Sequence, residues 1–209
     1  MVDRIPVLFV HGLWMTGAES LLLRQRLAAY GLSVDTVRYG STSASSAQVT
    51  HVLAQRIREQ GPEVCLVGHS LGGLVILRCL EKQPELPVRR VLLLGSPVNG
   101  SRAARALVRL PGVRRCLGDA AFEELLSLAA RTWTRPAALG IIAGDLPWGV
   151  GAMLSDLPAP HDGAVTVAET RLPGATAQRV YNVNHMGLLM SAEVARAAAT
   201  FLRDGCFPD

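Results

Sequence analysis

The amino-acid sequence predicts an α/β domain with a mostly parallel, six-stranded sheet that is covered by helices on both faces. Strand-like and helix-like segments alternate along the chain almost without exception, and parallel neighbours need a crossover helix between them. The chain has 209 residues and is 49% hydrophobic, which suits one substantial core. We therefore expect a single domain over residues 1–209.

The predicted strands are short apolar runs bounded by turn residues. In chain order they are IPVLFV, LSVDTVRY, EVCLV, VRRVLLLGS, AALGIIAGD and AQRVYNVNH. IPVLFV and EVCLV are read as buried strands because their apolar character is nearly continuous. Six such runs fit one sheet.

The predicted helices carry apolar residues at helical spacing, and several end at a glycine. SLLLRQRLAAYG ends at Gly31, AQVTHVLAQRIREQG ends at Gly61, residues 71–80 follow the third strand, and SAEVARAAATFLRDG closes the chain. A further helical region over 102–133 is broken at Pro111-Gly112. Its segment DAAFEELLSLAARTW is read as a core helix or as half of a lid, so a small, partial lid over 101–135 stays open as an alternative to ordinary packing.

Charge and hydropathy exclude some classes of function. The net charge of +4 is mild and its arginines are scattered, which argues against a nucleic-acid partner. Arg102, Arg105 and Arg109 share one helical face, which predicts a solvated surface, with contact to an anionic substrate or a membrane surface as the alternative. No apolar run is long enough to cross a bilayer, and MVDRIPVLFV lacks the pattern of a signal peptide. We expect a cytoplasmic protein without stable membrane insertion.

The cysteines predict neither disulfides nor a metal site. Cys65 falls in a predicted strand, Cys79 in the next helix, and Cys116 and Cys206 lie far from both. This spacing matches no common set of metal ligands. All four are expected to be free thiols.

The segment GHSLGG places Ser70 between glycines, after a buried strand and before an apolar helix. This is the G-x-S-x-G pattern of a nucleophile elbow, in which a tight strand-to-helix turn presents the serine hydroxyl. The alternative is a glycine-rich loop whose serine merely caps the helix. The context favours the elbow.

A serine nucleophile needs a base, and His185 is the best candidate among five histidines. His11 and His69 belong to glycine turns, His51 falls inside a helix and His161 lies in a proline-rich loop. Only His185 follows a late strand, on the loop that returns to the edge of the sheet expected to carry Ser70.

A carboxylate must orient the histidine, and the chain order serine, acid, histidine restricts the search to residues between Ser70 and His185. Asp145, Asp156 and Asp162 satisfy this order. Asp145 directly follows a strand and Asp162 begins DGAVTV. Spacing alone leaves both geometries open.

The intermediate of acyl transfer also needs donors for its oxyanion. We expect the backbone N–H of Leu71, at the start of a helix, to be one donor. The other is expected from Leu13, which follows the His11-Gly12 turn in FVHGLW.

The motifs FVHGLW, GHSLGG, GSPVNGS, HDGAVTV and NHMGLLMSAEVARAAATFL resemble those of small bacterial esterases and lipases of the α/β-hydrolase fold, including the compact class 2 lipases. The resemblance runs over nearly the whole chain. It implies a triad of Ser70, Asp162 and His185, an oxyanion hole from Leu13 and Leu71, no cofactor and hydrolysis of carboxylic esters. The long stretch GDLPWGVGAMLSDLPAP before the acid departs from the pattern of the family.

We therefore expect a serine hydrolase that cleaves small-molecule carboxylic esters with short to medium acyl chains through an acyl-enzyme. Trp14, Met15, Tyr39 and Trp148 are expected to line its pocket. The alternatives are a thioesterase or acyltransferase with the same triad, and a non-catalytic binding protein on the same fold.

Overall fold

The computed structural model describes residues 4–61, 63–109, 124–126, 131–149 and 156–208. These residues contain a six-stranded sheet in which every neighbouring pair is parallel, with strand order β2-β1-β3-β4-β5-β6. The strands are β1 (Ile5–Val10), β2 (Leu32–Val37), β3 (Cys65–His69), β4 (Arg90–Leu94), β5 (Ala138–Gly144) and β6 (Ala177–Tyr181). The predicted fold class is confirmed.

Helices connect the strands as a parallel sheet requires. Within the described residues they are α1 (Leu21–Ala29), α2 (Ser46–Gln60), α3 (Leu71–Lys82), α4 (Arg102–Leu107), α5 (Val167–Thr170), α6 (Gly187–Met190) and α7 (Ala192–Asp204). A short 3-10 turn, Ala18–Ser20, leads into α1. None of the helices in the described ranges is long and apolar enough to span a membrane.

The sheet separates two apolar layers, and β1 contributes to both because its side chains alternate in direction. Leu8 and Val10 pack in one layer, with apolar residues of α2 and α3. Val7 and Phe9 pack in the other, with residues of α1 and α7. Burial of one such side chain contributes about 2 kcal/mol to folding. Helices therefore cover both faces, as predicted.

Some boundaries differ from the prediction. The third strand starts at Cys65 because its pairing with β1 begins where Val7 meets Cys65. The last strand ends at Tyr181, opposite Gly144, where β5 itself ends. The strand is therefore shorter than the predicted segment AQRVYNVNH, and His185 lies on the loop after it, as predicted. Residues 110–123 and 127–130, with Pro111-Gly112 and most of the segment considered as a partial lid, lie outside the described residues.

Candidate active site

Ser70 occupies the turn between β3 and α3, in a backbone conformation that few residues other than glycine adopt. Its φ is 55° and its ψ is −122°. Such a conformation is strained by about 1–3 kcal/mol and persists only where the surrounding structure enforces it. Ser70 is partly exposed, whereas all of β3 before it is buried.

The glycines of GHSLGG allow this turn to pack against neighbouring strands. A Cβ on Gly72 would lie 2.0 Å from the carbonyl oxygen of Val10, and one on Gly73 would lie 2.0 Å from Ser96 Oγ. No side chain fits at such distances. The glycines thus bring the start of α3 directly against the ends of β1 and β4, which is the packing expected of a nucleophile elbow.

His185 and Asp162 are joined by a short hydrogen bond between Nδ1 and Oδ2, at 2.7 Å. The backbone joins them as well, because His185 N donates to the Asp162 carbonyl oxygen at 2.8 Å. Asp162 is 1% exposed and the His185 side chain is 16% exposed. The carboxylate is therefore shielded from water while the imidazole reaches the surface.

The second oxygen of Asp162 is held by backbone donors. Oδ1 accepts hydrogen bonds from Ala164 N at 2.9 Å and Val165 N at 2.8 Å. Burial would raise the pKa of the Asp162 carboxyl, but the adjacent His185 and these backbone donors outweigh burial and hold the pKa below its ordinary value. The group is consequently ionised at neutral pH.

Two glycines make room for the pair. Gly163 has a φ of 91°, and a Cβ there would lie 2.4 Å from the Trp148 carbonyl oxygen. At Gly95, after β4, a Cβ would lie 3.1 Å from His185 Nδ1 and 3.2 Å from Asp162 Oδ2. Only glycine leaves the space that the pair occupies.

His69 links the serine turn to the loop of His185. Its Nε2 lies 3.1 Å from the His185 carbonyl oxygen, and the two rings are 4.7 Å apart between centroids. The residue that precedes Ser70 is thus in direct contact with His185. Burial, together with the nearby His185, lowers the pKa of His69 to about 3. His69 is therefore neutral and donates its Nε2–H to the carbonyl.

The loop after β1 lies on another side of Ser70. A Cβ on Gly12 would lie 3.2 Å from Ser70 Cβ, so the His11-Gly12 turn touches the serine. Tyr39, two residues after β2, fixes this turn, because its hydroxyl donates to the His11 carbonyl oxygen at 2.6 Å and its ring stacks on that of His11 at 4.2 Å. Leu13 follows this turn, and Leu71 begins α3 directly after Ser70.

Of the residues predicted to line a pocket, Trp14, Met15 and Tyr39 line one cavity of about 850 Å³ beside the β1 loop. Trp148 does not belong to this lining. Its side chain is 75% exposed, and its backbone lies against the Gly163 turn.

The other candidate residues have other contacts. Asp145 Oδ1 accepts a hydrogen bond from Asn182 Nδ2 at 2.9 Å, and Asp156 and His51 are exposed. His161 Nδ1 accepts from Gly163 N at 3.2 Å and so supports the turn that carries Asp162.

Sequence analysis missed the contacts of His69 and of Tyr39 with the site. His69 could have been suspected from its place inside the elbow motif, whereas Tyr39 carries no local signal. The part of the chain that the structure describes contains no group of three or more His, Cys, Asp or Glu side chains arranged to hold a metal ion.

Comparisons with known proteins agree with this architecture. Residues 7–201 match the model of the alpha/beta hydrolase family. The chain is similar to the mature lipase BlEst2 of Bacillus licheniformis, with 20% identity over 97% of this chain and 92% of that chain and a TM-score of 0.77. It is also similar to a monoacylglycerol lipase of Paleococcus ferrophilus, with 18% identity over 94% of this chain and 93% of that chain and a TM-score of 0.63.

A third similar structure is the RedJ thioesterase of the prodiginine biosynthetic pathway in Streptomyces coelicolor, with 13% identity over 93% of this chain and 84% of that chain and a TM-score of 0.61. No curated protein matches the chain. At these identities the solved structures show a common fold, while the family model spans nearly the whole chain. The chain therefore belongs to the alpha/beta hydrolase family.

Proposed function

We propose that this protein is a serine hydrolase that cleaves carboxylic esters with short to medium acyl chains. The observation that carries the proposal is the 2.7 Å hydrogen bond between His185 Nδ1 and Asp162 Oδ2, beside the strained turn of Ser70. A buried carboxylate that fixes one imidazole nitrogen leaves the other free to act as a base. The three residues also follow the chain order of this family.

In the proposed reaction, Ser70 Oγ attacks the ester carbonyl carbon while His185 Nε2 accepts the hydroxyl proton. Asp162 stabilises the imidazolium that forms. The C–O bond of the ester breaks as His185 returns the proton to the leaving alcohol, which produces an acyl-enzyme. Water, deprotonated by His185, then attacks the acyl carbon and releases the acid and free Ser70.

The oxyanion of each tetrahedral intermediate would accept hydrogen bonds from the backbone N–H groups of Leu13 and Leu71. Leu71 N lies in the first turn of α3, where the helix dipole favours negative charge. Leu13 follows the His11-Gly12 turn. This turn is bonded to the Tyr39 hydroxyl and lies against Ser70. One such donor contributes about 3 kcal/mol to stabilisation of the transition state.

Lipases and a thioesterase among the similar structures support acyl transfer through a serine. Because a thioester reaches the same acyl-enzyme, thioester hydrolysis is the second candidate, and it differs in the leaving group alone.

The test has a labelling arm and a kinetic arm. A fluorophosphonate probe requires an activated serine and is expected to label the wild type but neither Ser70→Ala nor His185→Ala. p-Nitrophenyl esters from acetate to laurate are expected to give the highest kcat/KM at butyrate to octanoate, and matched N-acetylcysteamine thioesters are expected to be poorer substrates. A wild type without labelling would indicate a binding protein. A clear preference for thioesters would indicate a thioesterase.

A further inference from the structure

A large cavity lies at the carboxyl ends of β1 and β2, between the loops that follow these two strands. Its volume is about 850 Å³, within the range of small-molecule sites. Its walls combine apolar and polar side chains, among them Trp14, Met15, Tyr39, Thr36, Arg24 and Arg38. Nothing in the proposed reaction at Ser70 uses its polar wall.

The charged groups of this cavity all have one sign. Arg24 and Arg38 line it, and none of the Asp and Glu residues that the structure describes is part of its lining. Neither arginine forms an ion pair within the described residues, in contrast to Arg56, which pairs with Glu59 at 2.9 Å. Two acids adjoin the lining residues in sequence: Glu19 accepts hydrogen bonds from Thr16 N and Gly17 N, and Asp35 pairs with Arg56. The cavity therefore has a net positive charge.

Two polar atoms of the lining residues are buried without a hydrogen-bond partner. They are Arg24 Nε and Thr36 Oγ1. A buried donor without a partner destabilises a protein, so each such atom calls for an explanation. Both atoms are closed to solvent, so a bound anion would supply their missing partner only after these side chains shift toward the cavity.

Met15 connects the cavity to Ser70. A Cβ on Gly12 would lie 3.1 Å from Met15 Sδ and 3.2 Å from Ser70 Cβ, so both side chains lie beside the same glycine. Tyr39, another wall of the cavity, bonds to the His11 carbonyl oxygen of the same turn. A ligand that extends from the cavity past Met15 would therefore approach the serine.

We propose that this cavity binds an oxyanion group, a carboxylate or a phosphate, that the substrate carries away from its scissile ester bond. The inference rests on the proposed ester hydrolase function and narrows its substrate class to esters with one negatively charged end. Guanidinium groups bind carboxylate and phosphate in a bidentate manner, which suits Arg24 and Arg38. Met15 and Trp14 would contact the carbon chain between the two ends.

The test compares matched ester pairs that differ in charge. Mono-p-nitrophenyl glutarate and p-nitrophenyl valerate place the carboxylate on the acyl side, and 1-butyryl-glycerol 3-phosphate and 1-butyrylglycerol place a phosphate on the alcohol side. The wild type is expected to prefer the charged member of at least one pair, and high salt should weaken this preference. The pair in which the charged ester is preferred shows whether the site binds a carboxylate on the acyl side or a phosphate on the alcohol side of the substrate.

The double variant Arg24→Gln/Arg38→Gln is expected to lower kcat/KM for the charged ester by about tenfold through KM and to leave the neutral ester unaffected. Arg4→Gln is the matched control, because Arg4 precedes β1 and so lies at the amino end of this strand, whereas the cavity lies at its carboxyl end. Equal kcat/KM for both members of both pairs, or a preference that survives in the double variant, would overturn the inference while ester hydrolysis stands.

Calorimetric titration of Ser70→Ala with glutarate and with inorganic phosphate provides a readout that does not depend on catalysis. The cavity is supported as an anion site if Ser70→Ala binds either anion and the triple variant Ser70→Ala/Arg24→Gln/Arg38→Gln does not. Absence of binding of both anions overturns it. If no ester is cleaved and Ser70 is not labelled, the proposed function fails, and the titration alone decides the inference about the cavity.

Discussion

The buried imidazole of His69 lies against that of His185 and holds its backbone, with Nε2 of His69 3.1 Å from the carbonyl oxygen of His185. Because a carbonyl oxygen only accepts, His69 must carry its proton on Nε2. Its other nitrogen, Nδ1, is buried without a partner. The folded protein therefore requires neutral His69, and protonation of His69 in acid should lower the stability of the fold.

The first prediction concerns the stability of the protein in acid. In the folded state the pKa of His69 is about 3, below its value of 6.5 in an unperturbed chain, because burial disfavours the charged form. The unfolded state thus binds more protons, and the free energy of unfolding falls as the pH drops below 6.5. We expect this one group to remove about 2 kcal/mol between pH 6.5 and 4.5, measured by urea unfolding.

His69→Gln should lose most of that difference, because a glutamine side chain does not titrate. His51→Gln, which removes an exposed imidazole from α2, is the matched control and is expected to behave as the wild type. An undiminished difference in His69→Gln would contradict the assignment of the acid sensitivity to His69.

The second prediction concerns strain at Ser70. At a φ of 55° and a ψ of −122°, alanine retains the strain of serine, whereas glycine relieves it. We expect Ser70→Gly to unfold with a free energy about 1 kcal/mol higher than Ser70→Ala, and both to lack esterase activity. Equal stabilities in chemical unfolding would show that the turn is not strained.

The parallel sheet and the tight turn at Ser70 could be predicted because their signals are local. Buried parallel strands are nearly continuous apolar runs. The six adjacent residues of GHSLGG include the serine of the turn and the glycines that its close packing requires. The contact of Tyr39 with the His11 turn could not be predicted. It depends on the pairing of β1 with β2, which brings together residues far apart in the sequence.

Spacing alone could not choose the hydrogen-bond partner of His185, although the resemblance of HDGAVTV to the family motif implied Asp162. Asp145 and Asp162 both fit the spacing, and the difference arises from tertiary contacts. The turn at Gly163 closes against the Trp148 backbone, and Gly95 of another strand end leaves room for the carboxylate. Gly163 beside Asp162 does indicate a sharp turn, but the residues that this turn and Gly95 contact cannot be identified from the sequence around the two aspartates.

The third prediction tests the space that Gly95 provides. An alanine there would have to adopt a φ of 56°, and its Cβ would meet Leu188 Cδ1 at 2.7 Å and His185 Nδ1 at 3.1 Å. We expect Gly95→Ala to lower kcat by at least about tenfold, because displacement of the base by a fraction of an ångström impairs proton transfer. Steady-state kinetics with a p-nitrophenyl ester measures this loss.

Gly31 offers a matched control, since its φ is 83° but no atom lies within 4 Å of the position of its Cβ. Gly31→Ala should therefore lose about 1–2 kcal/mol of stability from the backbone alone and keep the wild-type kcat. A folded Gly95→Ala with unchanged kcat would show that the glycine is not needed for the His185–Asp162 pair.

The last prediction separates the two aspartates. In Asp162→Asn, the amide oxygen should occupy the site of Oδ1, because that atom accepts from Ala164 N and Val165 N. The amide nitrogen then replaces Oδ2 and faces His185 Nδ1. A donor at this position forces Nδ1 to accept, so the proton moves to Nε2, the atom that must receive the proton of Ser70. We expect kcat to fall by about 10⁴, as found when an amide imposes the wrong tautomer on a triad histidine.

Asp145→Asn provides the comparison, because its Oδ1 only accepts from Asn182 Nδ2 and an amide oxygen can accept in the same way. Its kcat should stay within about twofold of the wild type, in keeping with a surface substitution that preserves its hydrogen bond. Thermal melts of both variants separate a loss of chemistry from a loss of folding. A folded Asp145→Asn without activity beside an active Asp162→Asn would reverse the assignment. It would mean that the imidazole of His185 turns away from its 2.7 Å partner when it acts as the base.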